Sequence, residues 1–391
     1  MTSALPPVLR ALIDICGPAF ARLAGPADTV AGRVASFVAG PATATAVADT
    51  LRLAATRGLA VQSRGAGTKL DWGTPPPGVD VLLDTGRLAG VWHHNPAAGT
   101  AEVGAGTPVH AVQAALALRG QRLAVDPPSV GATVGGMLAV NESGPLRHRY
   151  GTAADQVHQI SYVDRAGAPR TSDGGAALRA PRSRGLHVDG VIVSATLRLE
   201  PLPAARRWVA VAVSTPLQVH NLVEETLAQR VDPSAIEVDL PRSVPRTTEQ
   251  PPGSLAVLLE GATADVAGRA ARLADAIGDG ATVSESAPRW WGRYPFGHDD
   301  VALRIAVPIA DLHAAVYALR DAAGAVVPIR GSAGIGTVHA VLPGSTPPER
   351  VEEILDAVRG VLLARGGRAV VISAPPSTAR AIDVADHHDL F

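Results

Sequence analysis

Apolar and polar positions follow two rhythms along this chain, and the switches between them mark helices and strands in turn. After a short N-terminal segment that reads as one helix, TATAVADTLRLAATRG (43–58) has helical apolar spacing, with Thr43 placed to cap it and Gly58 to stop it. The runs LAVQS (59–63), VDVLLDT (79–85) and TAEVGAG (100–106) predict strands. TPVHAVQAALALRG (107–120) then predicts a helix with Thr107 as cap, Pro108 in the first helical position and Gly120 as terminator. QVHQISYVD (156–164), the turn RAGAP, and VIVSATLRLEPL (191–202) complete an α+β region bounded by Pro201 and Pro203.

Beyond that boundary, WVAVAVS, AIEVDL, SLAVLLEGA, VALRIAVP, TVHAVLPG and AVVISAP read as strands. Helices are expected at 216–230, 263–277, 309–323 and 347–365, packed on one face of the resulting sheet. No period of a repeat array is visible, but the strand–helix–strand alternation leaves room for a weak duplication.

Composition narrows the classes. With 47% hydrophobic residues and 18% charged over 391 positions, the chain can bury a sizeable core. A formal charge of -1 supplies no basic field for nucleic acid or an anionic membrane. A single cysteine, Cys16, excludes an internal disulfide and a cysteine-built zinc or iron–sulfur site, which fits a reducing compartment, the cytoplasm. Two prolines and an arginine interrupt the N-terminal stretch, and nowhere do 18 apolar residues run together, so neither a signal peptide nor membrane insertion is expected.

The candidate chemistry lies in two stretches of the first region. Of 35 basic residues only Lys69 is a lysine, and it stands in Ser63-Arg64-Gly65-Ala66-Gly67-Thr68-Lys69-Leu70. Here a strand feeds a turn whose glycines can expose successive backbone N–H groups to an anion such as a pyrophosphate, with Arg64, Thr68 and Lys69 adding donors and charge. An ordinary glycine-rich turn would look the same, since a short Gly-x-Gly is not specific. The second stretch, VDPPSVGATVGGMLAVNESGPLRHRYG (125–151), sets glycines at 131, 135, 136, 144 and 151 among prolines 127, 128 and 145. Such backbone permits a planar ligand to approach closely, and it also suits a crossing loop inside a packed core.

Together RGAGTKLDWG (64–73), DPPSVGATVGG (126–136) and VNESGPLRHRYG (140–151) resemble the FAD-contacting loops of the PCMH-type, vanillyl-alcohol-oxidase family of oxidoreductases. The likeness is greatest to the FAD-binding subunit of glycolate oxidase, and VIVSATLRLEPLP (191–203) resembles the strand that closes the family's FAD domain. The resemblance implies an α+β fold: a PCMH-type two-subdomain FAD-binding domain followed by an α+β cap domain with a sheet covered by helices on one face. The boundaries implied are an N-terminal helical segment at 1–29, the FAD-binding domain at 30–205 and the cap or substrate domain at 206–391.

Carried over by position, the resemblance implies that the backbone of Gly65, Ala66, Gly67 and Thr68 holds the FAD pyrophosphate, flanked by Arg64 and Lys69. Pro128, Val130, Gly131, Thr133, Gly135 and Gly136 would line the isoalloxazine and ribityl side, followed by Asn141, Ser143 and Gly144. Gly190, Val191 and Ile192 would reach the adenine end through main-chain groups. No histidine stands in the pyrophosphate loop where covalent relatives attach their flavin, so the cofactor expected is noncovalent FAD.

The activity implied is oxidation of a small 2-hydroxy acid, of glycolate or D-lactate type, by hydride transfer to flavin N5, beside a second flavoprotein subunit and an iron–sulfur subunit. For substrate anchoring or proton removal the candidates are His148, Arg149 and Arg293, with Arg304 near the aromatic segment WWGRYPFGHDD (290–300). That segment lines a site, meets a partner or packs in a core. Two departures from the family, a shortened segment at 176–189 and the absence of its C-terminal Phe-Asp-Pro and Asn-Pro-Gly signature, keep an alternative open. It is a divergent FAD-fold binding or assembly subunit without turnover of its own. His387 and His388, among Asp383, Asp386 and Asp389, invite a metal reading, but adjacent histidines diverge on regular backbone and a polar chain end is favoured, so no metal is expected.

Overall fold

The structure, a computed structural model, describes residues 5–174, 189–241 and 253–385, and divides into two compact units. Among the described residues, the first comprises the chain up to Ser143 together with Thr152–Leu202; the second comprises Gly144–Gly151 and residues 203–385. The shortened segment at 176–189, apart from Asp189, and the tail bearing His387 and His388 lie outside the described residues.

The first unit is built on two main sheets. One has the order Ala21–Leu23, Phe37–Ala39, Val81–Asp84, Val61–Arg64, and its last three strands run parallel. Helix Ala44–Arg57 begins where its sequence places it, because Thr43 Oγ1 accepts the Ala46 N–H at 3.1 Å. It ends at Gly58, whose left-handed φ of 63° a glycine adopts without strain. The second sheet is antiparallel, ordered Pro169–Asp173, Val157–Asp164, Gly190–Arg198, Thr100–Gly104, Val91–Asn95. Its core gathers Val103, Val112, Leu116, Leu123, Met137, Leu138, Ile160 and Leu197, so helix Val109–Ala117 packs its apolar stripe there.

The caps of that helix differ from expectation. Pro108 is its N-cap without a side-chain bond, and the helix ends at Ala117, short of Gly120. Thr107 instead donates to Gly104 O at 2.6 Å and accepts the Gly90 N–H at 2.9 Å, pinning a buried turn between strands. Tertiary partners outcompete the local cap because both of those backbone groups are in reach of one hydroxyl.

The second unit holds an eight-stranded antiparallel sheet whose order exposes the duplication. Ala205–Val213, Pro216–Ala228, Ala235–Leu240, Gly253–Gly261, Thr263–Ile277 and Thr282–Ser284 form a strand–helix–strand–strand–helix–strand unit. Val301–Ala306, Leu312–Ala323, Ile329–Ser332, Thr337–Leu342, Pro348–Leu363 and Arg368–Ser373 repeat it. Each half is ferredoxin-like, with its fourth, first, third and second strands side by side, and the halves join where Ala235–Leu240 pairs with Ile329–Ser332.

The period of two then separates the faces. Val209, Val211, Val238, Leu255, Val257, Leu303, Ile305, Val338 and Ala340 pack against the four long helices, as the sequence predicts. Trp208, Ala235 and Leu258 point the other way and pack with Leu146, Tyr150 and Trp291. The first helices of the halves meet at His220 and His313, whose rings lie 4.6 Å apart beside a cavity of about 10 Å³.

Replacing Thr43 by Ala should cost about 1 kcal/mol, the loss of one exposed cap. Thr107→Val should cost about 1–3 kcal/mol, since it strands a buried N–H and leaves a turn unpinned. Urea midpoints of the two variants check the order, and equal losses would return Thr107 to the role of an ordinary cap.

Candidate functional site

The loop after strand Val61–Arg64 is built by fixing both of its ends. Arg64 donates to Asp84 Oδ2 from Nε at 3.1 Å and from Nη2 at 2.7 Å, and to Asp28 Oδ1 from Nη1 at 3.0 Å. Asp28 is also gripped by Arg22, and this pairing, with the Gly25 N–H and Arg64, holds its carboxyl well below the usual carboxylate range. At the other end Lys69 forms an ion pair with Glu142, while its Nζ lies 5.6 Å from the Trp72 ring centroid. Between these anchors Gly67 takes a φ of 76°. Among the described residues no acceptor meets the N–H groups of Gly65, Ala66, Gly67 or Thr68, and Ala66 and Thr68 are exposed. Four successive donors are thereby left for an anion.

The second predicted loop is brought against the first. A Cβ on Gly65 would stand 2.1 Å from Thr133 Oγ1, so only glycine permits this approach. Glu142 Oε1 accepts the Ser129 N–H at 3.1 Å, tying the start of the 126–136 loop to its far side. Val130, 94% exposed, is a bare apolar side chain in this loop, which fits a site covered by a planar ligand. Pro128 and Gly131 flank it, and Gly131 has a φ of 82°.

Other predicted residues are engaged within the protein. The Gly135 N–H donates to Ala105 O at 2.7 Å and the Gly136 N–H to Thr133 Oγ1 at 3.2 Å. Asn141, at a φ of 55°, accepts the Ala154 N–H with its side chain, and Ser143 Oγ accepts the Ala153 N–H. Val191 and Ile192 pair with Val163 and Tyr162, while Gly190 lies so close to the neighbouring strand that a Cβ would meet Val163 O at 2.0 Å. On the opposite edge, pairing with Thr100–Gly104 starts only at Ser194.

The catalytic candidates fall in the second unit, and Gly144 is grouped there with them. His148 Nδ1 lies 3.2 Å from Gly334 O, and burial pushes its pKa down. Arg149 pairs with Asp232 at 2.9 Å, and Arg293 is exposed. Arg304 stands on the face of the sheet away from the helices, in a cross-strand row with His339, Arg330 and Asp239. Arg330 pairs with Asp239 at 2.8 Å and donates to Tyr294 O. Tyr294 stacks on Phe296 with centroids 4.9 Å apart and meets the His339 ring edge-on, while Trp291 packs on Trp208. The aromatic segment thus covers part of this polar face.

Sequence reasoning missed Glu142, Asp28 and Asp84, the partners of the two cations it singled out. A lone lysine in a glycine-rich turn signals the need for a partner, but nothing local says that it comes from position 142. His339 was also missed, because alternating positions in a strand do not reveal which face is polar until the helices are placed.

Residues 35–172 match the family model described as an FAD binding domain. Residues 35–172 therefore form an FAD-binding domain, and FAD is its cofactor. A curated relative, an uncharacterized oxidoreductase of the fasciation locus of Rhodococcoides fascians, is 34% identical over 161 residues. That match covers 41% of this chain and only 36%, about a third, of the relative. Among solved structures the fold is similar to alkyldihydroxyacetonephosphate synthase, with a TM-score of 0.71, 16% identity and coverage of 93% of this chain and 81% of that one. It is likewise similar to p-cresol methylhydroxylase with substrate bound, with a TM-score of 0.70, 13% identity and coverage of 96% and 90%. The Physcomitrella patens BBE-like 1 protein gives a TM-score of 0.66 at 17% identity, covering 91% of this chain and 89% of that one. Among the described residues no helix is long and apolar enough to cross a membrane.

Burial, reinforced by the charges of Arg304 and Arg147, lowers the His339 pKa to about 3. The unfolded chain takes up this proton near pH 6.5, so the native state loses stability as pH falls from there toward about 3, and none of the loss occurs above pH 7. His339→Gln should flatten that limb of a stability-against-pH curve from urea unfolding; an unchanged slope would mean that His339 protonates freely in the fold.

Proposed function

We propose that this chain oxidises a small 2-hydroxy acid, of glycolate or D-lactate type, as an FAD-dependent oxidoreductase. The observation that carries the reading is the run of four N–H groups at Gly65–Thr68, set beside the bare Val130 in a second glycine-rich loop. These donors suit a pyrophosphate, and the apolar loop suits the flavin side. Bound FAD supplies a two-electron acceptor at N5 for the hydride leaving the substrate Cα.

The chain's own part is to bind and orient. The backbone of Gly65, Ala66, Gly67 and Thr68 holds the pyrophosphate, Pro128, Val130, Gly131 and Thr133 line the flavin side, and the edge at Gly190–Ile192 serves the adenine end. No histidine occupies the 64–73 loop, so attachment is noncovalent. The hydroxyl proton leaves to a base or to solvent as the C=O bond forms. Electrons then pass to partners, a second flavoprotein and an iron–sulfur protein, in the cytoplasm; the single cysteine gives the chain no cysteine-built cluster of its own.

The test begins with the visible spectrum of the purified full-length chain. FAD should appear in the supernatant after acid precipitation, and anaerobic glycolate or D-lactate should bleach the flavin bands. FAD retained without bleaching across a panel of 2-hydroxy acids would sink the substrate assignment. A colourless chain that takes up no FAD would move the noncatalytic binding-subunit reading to first place.

A further inference from the structure

We propose that Lys69 and Glu142 are positioning residues whose buried ion pair sets the separation of the two FAD-contacting loops, and that the lysine charge is not offered to the pyrophosphate. The inference rests on the FAD reading above and deepens it, because it reassigns the residue that the sequence most plainly marks as an anion ligand.

The Lys69 side chain is 7% exposed and that of Glu142 is 0% exposed. The carboxylate is divided between two segments. Oε2 takes Lys69 Nζ from the 64–73 loop, and Oε1 takes the Ser129 N–H from the 126–136 loop. Glu142 itself is held by its own N–H, which donates to Met137 O at 2.9 Å. The loops therefore touch at Gly65 and Thr133 and are tied at Lys69, Glu142 and Ser129.

For Lys69 to turn toward an anion it would have to give up its ion pair with the wholly buried Glu142. Breaking a buried ion pair costs more than a single contact returns. Arg64 is constrained in the same way by Asp28 and Asp84. The negative charge of a pyrophosphate would then be met by the amide dipoles of Gly65–Thr68 rather than by either flanking cation.

The two roles predict opposite signs. If Lys69 were a ligand restrained by Glu142, Glu142→Gln would free its charge and tighten FAD. If the pair positions the loops, Lys69→Met and Glu142→Gln should each raise the FAD Kd at least tenfold. The double variant should then be no worse than the poorer single, because both substitutions break one connection.

The measurement is FAD titration of the full chain stripped of cofactor, followed by flavin fluorescence, with the melting temperature of each apoprotein recorded alongside. Should the singles fail to fold, the double variant, which removes both charges of the pair, decides alone. A tenfold or greater loss of FAD affinity in the double variant, at an apoprotein melting temperature within a few degrees of wild type, supports the proposal. Wild-type affinity in the double, tighter binding in Glu142→Gln, or a collapse of the double variant's apoprotein melting that accompanies its lost affinity would overturn it. A wild-type chain that binds no FAD would overturn the FAD reading and this inference together, whereas wild-type uptake with unchanged variants overturns this inference only.

Discussion

Glu142 is a wholly buried carboxylate, and the arrangement of the two glycine-rich loops depends on how its charge is satisfied. A carboxylate in the interior is tolerated only when a cation and further donors replace the water it has lost. Lys69 and the Ser129 N–H do so from two different segments, and the geometry of that satisfaction fixes where those segments sit. Removing one partner of such a pair typically costs about 3–5 kcal/mol, whereas replacing both by apolar groups is often neutral. Burial pushes the Lys69 pKa down, and the charge and hydrogen bond of Glu142 oppose it. The pair is therefore better understood as a constraint on register than as a store of stability.

Close backbone approach is the companion constraint. Gly65 against Thr133, Gly135 against Ala105 and Gly106 against Thr85 are contacts where a Cβ would fall at 2.0 to 2.8 Å from its neighbour. These glycines bring loops and strand ends into close contact. The four unmet N–H groups at Gly65–Thr68 are the counterpart of this packing, since the donors around them are already engaged. A charge-neutral loop with oriented amides suits an anion held tightly but without a free cation.

The second unit follows different rules. Two ferredoxin-like halves, joined through their second strands, give one continuous sheet with its helices on one side, so alternate residues of every strand face a different environment. On the helix side they are aliphatic. On the other they include Asp239, Arg330, His339 and Arg304 in register across four strands, with aromatic side chains laid over part of the row. The neutral state of His339 follows from this placement, because burial and two guanidinium groups all disfavour a third positive charge.

Local pattern determined a good deal. The helices at 44–57 and 263–277, the strand at 235–240 and the one-sided packing of the second sheet are legible because period and capping chemistry act within a few residues. The two glycine-rich loops stood out too, since glycine, proline and a solitary lysine carry their own signal. The cap of the helix after Thr107 was misread, because a hydroxyl bonds whichever buried backbone groups the fold brings nearest. The duplication was only hinted at, as strand order depends on pairing between residues far apart in sequence. Most of all, the partners of Arg64 and Lys69 come from 20, 36 and 73 positions away, and no local pattern encodes them. The sequence by itself determined which segments could meet an anion and a planar ligand. The tertiary structure decided which of their charges remain available, because an ion pair's partner is set by distance in space and by the cost of leaving a buried charge alone.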